Sequence, residues 1–79
     1  MKWVPGTKKP VRAASPVVRQ LFELIDDAGI SLADAGRPAG VHYVTMSRWR
    51  QGFSAPRLVE LENVAQGMGY RLLLVPDAE

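Results

Sequence analysis

The chain is 79 residues long, with ten Lys and Arg against eight Asp and Glu, one His and no Cys. A chain of this length buries only about 60% of its unfolded surface, which allows one modest core and excludes a deep, multi-lobed active site. Without Cys there are no disulfides and no thiolate metal sites, and His42 alone provides neither a zinc ligand set nor a nucleophile–base pair.

Residues 1–14 hold Pro5, Gly6 and Pro10 among lysines, with little periodic apolar content, and read as an extended, flexible basic arm. The 15–69 stretch carries the helical signals. Ser15 offers a capping oxygen and Pro16 a first helical position that needs no N–H; Val17, Val18, Leu21, Leu24, Ile25 and Ala28 then recur at helical spacing until Gly29. The first helix is therefore expected at about 16–28. Ser31 caps a second helix from Leu32 and Gly40 ends it. Pro38 has no N–H for the carbonyl of Asp34, so this helix is expected to be short or to finish irregularly.

A third segment runs from His42 to Gln51 and stops at Gly52, with Met46 and Trp49 facing one way. A fourth is expected to start near Ser54-Ala55-Pro56, to bury a stripe of Leu58, Leu61, Val64, Ala65 and Met68, and to end at Gly69. The final stretch, 70–79, contains Tyr70-Arg71-Leu72-Leu73-Leu74-Val75 before Pro76, a short apolar run bounded by Gly and Pro that reads as a strand. A lone strand needs a partner for its main-chain groups. Lys2-Trp3-Val4 is one candidate, and the same segment of a second chain is the favoured one. Tyr70, Leu72, Leu73, Leu74 and Val75 are then the dimerisation residues.

The net charge of +2 is unevenly spread. Residues 1–22 hold five bases and no acid, residues 23–36 four acids and no base, and residues 37–59 four arginines and no acid. If these blocks separate in space, the basic face is the footprint of a polyanionic partner. Stepping ~100° per residue from Met46 places Thr45 and Trp49 inward, and Val44, Ser47, Arg48 and Gln51 on the opposite face. A hydroxyl, a guanidinium and an amide on one exposed face are groups that read base edges in a major groove.

The stretch SLADAGRPAGVHYVTMSRWRQG, Ser31 to Gly52, resembles the helix-turn-helix of the Cro and phage-repressor family, also called the xenobiotic-response-element family. The resemblance rests on the cap Ser31, the small Gly36, the turn Gly40-Val41, the apolar pair Met46 and Trp49, and the closing Gly52. It extends from the first helix through Ala65-Gln66-Gly67-Met68-Gly69, about 55 of 79 residues. It implies an all-α, lambda-repressor-like bundle of four to five short helices, here with a C-terminal β-strand pairing across a dimer.

The spacing has its own physical reasons. Two helices that cross steeply need a residue without bulk at the contact, which Gly36 supplies, and the turn needs a positive φ, which Gly40 supplies. Arg50 departs from the family, which commonly has an acid there paired with a base in the first helix. Here that helix offers Glu23 and Asp26, so the pair is expected in reverse.

The expected base-contacting residues are Tyr43, Val44, Ser47 and Arg48, with a guanine edge for Arg48 and a thymine methyl for Val44. Expected phosphate contacts are Ser31, His42, Gln51, Phe53, Ser54 and Arg57, with Lys8, Lys9 and Arg12 of the arm. Tyr43 and His42, at the helix N-terminus, stand equally well for touching phosphate or capping the helix as for reading bases, and the arm equally well as a solubility tail. The resulting expectation is a homodimeric regulator of transcription, most simply a repressor, that binds double-stranded DNA and is neither an enzyme nor dependent on a metal or cofactor. The alternative is an antitoxin or interaction module whose main partner is a toxin or other protein. No apolar run reaches the ~18 residues that cross a bilayer, and MKWVPGTKKP has no apolar signal core, so a soluble cytoplasmic protein with no membrane partner is expected.

Overall fold

Residues 10–77 are described by a computed structural model. Four α-helices follow one another: α1 (Pro16–Ala28), α2 (Leu32–Gly36), α3 (Tyr43–Gln51) and α4 (Leu58–Gly67), with a 3₁₀ turn at Arg37–Ala39 between α2 and α3. No helix is long and apolar enough to cross a membrane among these residues.

The start and end of α1 follow the local chemistry of the sequence. Ser15 Oγ accepts a hydrogen bond from the Val18 amide, Pro16 occupies the first turn, and Gly29 closes the helix at φ 71°. Val18, Leu21, Phe22 and Ile25 form its buried face. Phe22 was absent from the predicted stripe, yet it is fully enclosed and is one of the largest side chains at the centre of the core. Val17, counted within the stripe, lies on its exposed flank.

Ser31 caps α2 by accepting from the Asp34 amide at 3.0 Å. The helix lasts five residues. Pro38 prevents its continuation, and the chain tightens into the 3₁₀ turn before Gly40 reverses it at φ 71°. The Val41 amide then donates to the Gly36 carbonyl at 2.9 Å, so the main chain folds directly back over the end of α2. A Cβ added at Gly36 would stand 2.3 Å from the Val41 carbonyl oxygen and 3.0 Å from Met46 Cγ. Only glycine permits that approach.

His42 caps α3, its Nδ1 accepting from the Val44 amide at 3.1 Å, and Gly52 ends the helix at φ 82°. Met46 and Trp49 are buried and Thr45 is half-buried, as the helical projection requires.

The fourth helix begins later than the sequence implied. Ser54, Ala55 and Pro56 remain in a loop, and Arg57 is the capping residue, in an extended conformation, with its amide donating to Glu60 Oε1 at 2.9 Å. Leu61, Val64 and Ala65 are buried and Met68 packs beside them, but Leu58 is 65% exposed. Leu58 opens the helix one turn before the core, where no described element lies over it. At the far end Gly67 rests on Pro38, which seats α4 against the 3₁₀ turn.

The last residues of the arm are held in place. Ala13 is buried, Val11 packs on the core, and the Arg12 amide donates to the Arg50 carbonyl at 2.8 Å. Arg19 Nη1 donates to the carbonyls of Ala13 and Ala14. The arm that the sequence marked as flexible over 1–14 is thus anchored from Val11 onward; Lys8, Lys9 and the Lys2-Trp3-Val4 pairing candidate lie outside the described residues.

After Gly69 the described chain has no regular secondary structure. Leu72 packs on the core, while Tyr70, Leu73, Leu74 and Val75 are exposed. Residues 71–76 form no main-chain hydrogen bond with other described residues, and no strand is present among them.

Gly36→Ala is expected to destabilise the protein by about 2–3 kcal/mol, lowering Tm by roughly 10–20 °C, because neither contacting atom is the end of a freely moving chain. Gly29→Ala, which meets nothing within 4 Å, bears only the strain of a positive φ and should cost about 1 kcal/mol. Thermal unfolding of the two variants checks both values.

Candidate nucleic-acid interface

The turn at Gly40-Val41 orients α3 so that its inner face, Met46 and Trp49, completes the core. Its outer face is left to solvent. Tyr43 is 54% and Val44 45% exposed, Arg48 and Gln51 are exposed, and Ser47 lies half-buried between them. On this face Gln51 Nε2 donates to Ser47 Oγ at 2.8 Å. The His42 and Tyr43 rings lie 5.0 Å apart at the start of the helix, where His42 serves as the cap.

An open groove runs beside the C-terminal half of α3. It is lined by Ser47 and Gln51 from the helix, Leu32 from the start of α2, Phe53 from the following loop and Arg12 from the arm. Pro10, Arg50 and Asp26 complete the lining. Ser31 is exposed at the start of α2 with its oxygen engaged by the Asp34 amide, and Ser54 and Arg57 are exposed on the α3–α4 connection. Phe53 is 71% exposed, an unusual position for a phenylalanine.

The reversed ion pair predicted from the sequence is present. Arg50 Nη2 lies 2.7 Å from Asp26 Oδ2, with the two side chains 13% and 24% exposed. This bond ties the end of α3 to the last turn of α1, and the Arg50 carbonyl also receives the Arg12 amide. Residue 50 therefore joins α1, α3 and the arm. A second pair, Arg37 Nη1 to Asp34 Oδ1 at 2.7 Å, is solvent-exposed and contributes little.

These two pairs change the meaning of the charge blocks. Two of the four acids in residues 23–36 fold onto two of the four arginines in residues 37–59, so the blocks do not separate into wholly acidic and basic faces. Arg48 and Arg57 make no ion pair among the described residues. Arg48 is the cation on the outer face of α3. Among the described residues no group of three metal-ligating side chains occurs.

Comparison with family models, with curated proteins and with solved structures found no match to this chain.

Arg50→Ala is expected to lower stability by about 1–3 kcal/mol, since it leaves a half-buried carboxylate without its cation. A double-mutant cycle with Asp26→Asn, followed by urea unfolding, should give a coupling of about 1 kcal/mol or more. Additive losses would mean that the two side chains do not support each other.

Proposed function

We propose that this chain is a sequence-specific DNA-binding regulator of the Cro and phage-repressor type, acting as a homodimer and most simply as a repressor that occludes a promoter. The observation that carries this reading is the division of α3. Its inner face is anchored by Met46 and Trp49, while Tyr43, Val44, Ser47, Arg48 and Gln51 occupy a polar outer face on a helix only nine residues long. The close turn at Gly36 and Val41 supports it, because a lambda-repressor-like helix-turn-helix requires its two helices to meet closely at such a turn.

In this reading α3 enters a major groove. Arg48 donates two hydrogen bonds to guanine O6 and N7, Val44 meets a thymine methyl, and Ser47 bonds a base edge. Arg57 and Arg12 are assigned to phosphates, with Ser31, Ser54 and the N-terminal lysines as further phosphate contacts. Such a regulator works in the cytoplasm, beside its DNA.

The dimer is assigned to residues 70–75. From residue 71 to 75 the main-chain groups form no main-chain hydrogen bond with other described residues, and Leu73, Leu74 and Val75 are exposed. Pairing of this segment with its copy about a two-fold axis would satisfy both the backbone and the leucines. The two α3 helices would then address half-sites ~34 Å apart in a palindromic operator. The same exposed leucines favour a second reading, in which the tail docks on another protein, as an antitoxin docks on its toxin.

Selection from random duplexes separates the two readings. A regulator enriches a palindromic sequence, and Arg48→Ala should weaken binding to it about tenfold or more with unchanged helicity and unfolding midpoint. Failure to enrich any sequence would overturn the regulator reading. With about 6–10 phosphate contacts per dimer, the log–log slope of affinity against salt should lie at about −5 to −9. For the dimer, Leu74→Asp should convert the species seen in sedimentation to a monomer without loss of monomer stability, because Leu74 is fully exposed in the single chain.

A further inference from the structure

We propose that Gln51 sets the hydrogen-bonding polarity of Ser47, so that Ser47 presents a donor to the DNA and selects a base with an acceptor edge over cytosine. The inference rests on the reading above, in which the outer face of α3 meets base edges. It adds a specificity-determining role for Ser47 and a positioning role for Gln51.

The two side chains stand one helical turn apart, and Gln51 Nε2 donates to Ser47 Oγ at 2.8 Å. Both line the open groove beside α3 with Arg12 and Phe53, so the pair lies at the surface and not within the core. A serine inside a helix commonly sends its hydroxyl proton back to the carbonyl four residues earlier. Ser47 makes no such bond to Tyr43; the contact with Gln51 is its one side-chain hydrogen bond among the described residues.

An oxygen that has accepted a hydrogen bond holds its own proton less tightly and becomes a better donor and a poorer acceptor. Ser47 is thereby biased towards donation. In the major groove guanine offers O6 and N7, adenine offers N7 and thymine offers O4 as acceptors, whereas cytosine presents only its N4 donor. Cytosine opposite Ser47 offers no acceptor for the hydroxyl proton, and its N4 donor is left with only the second lone pair of an oxygen already weakened as an acceptor. Gln51 makes this distinction without touching the base, since its amide acts through the serine oxygen.

The experiment is selection from random duplexes, followed by sequencing, with the full chain and four variants whose helicity is checked first. The unaltered protein should show one half-site position at which cytosine is depleted about fivefold, the value of one neutral hydrogen bond. Ser47→Ala should lose that preference while the remaining positions keep theirs. Gln51→Ala should weaken it. Gln51→Lys, which can still donate to Ser47, should restore it. Gln51→Glu, which can only accept from Ser47, should turn the serine into an acceptor and admit cytosine. A Ser47→Ala protein with unchanged preferences, or a Gln51→Glu protein that excludes cytosine as before, overturns the assignment while leaving the DNA-binding reading intact. If the unaltered protein enriches no sequence, both fall together.

Discussion

Between α2 and α3 the main chain passes so close to itself that a single methyl group on Gly36 would collide with the Val41 carbonyl. The rest of the molecule is arranged around this approach. It allows the Val41 amide to bond the Gly36 carbonyl, and it lets Met46 settle over the glycine. Met46 and Trp49 are then held inward, and the outer face of α3 stands clear of the bundle. Pro38 contributes from the other side of the same turn. By ending α2 early it creates the 3₁₀ segment on which Gly67 of α4 rests. Packing between helices thus fixes how the candidate interface is displayed, and the residues of that interface bear little of the folding load.

A second junction lies at residue 50. The Arg50 side chain holds Asp26 of α1 and its carbonyl holds the Arg12 amide, so the end of α3, the end of α1 and the anchored part of the arm meet there. This use of an arginine lowers the charge available for long-range attraction. With Arg37 also paired to Asp34, the cations left without an ion pair beside α3 among the described residues are few, Arg48 and Arg57 foremost. These few alone have a weak electrostatic hold on a polyanion. Dimerisation would double that hold, and the proposed DNA recognition depends on it.

Features with a local cause were legible in the sequence. Ser15, Ser31, Gly29, Gly40 and Gly52 act at the positions where backbone chemistry placed them, and Pro38 shortens α2 as its missing N–H demands. The Arg50–Asp26 pair was foreseeable because the resemblance implies an ion pair between this position and the first helix, which offered Glu23 and Asp26 to an arginine. Features with a tertiary cause were less accessible. Ser54-Ala55-Pro56 imitates a helix start, yet the capping position falls at Arg57, where Glu60 can reach back. Leu58 fits the apolar spacing of α4 but no described neighbour covers it, and spacing alone carries no information about neighbours. The Ser47–Gln51 bond lies between residues at a common helical spacing, but whether they meet depends on rotamers. The predicted strand at 70–75 is a different case: its partner, if it is a second copy of the chain, lies outside any single molecule.

The most direct measurement is an amide-shift titration of the isotope-labelled protein with a duplex obtained by selection. If the outer face of α3 reads DNA, the largest changes should fall on residues 42–51, with smaller ones at Arg12 and Phe53–Arg57 and none at Glu23 and Asp27 of α1. Changes confined to Leu58, Val59 and residues 70–75, with α3 unaffected, would contradict it.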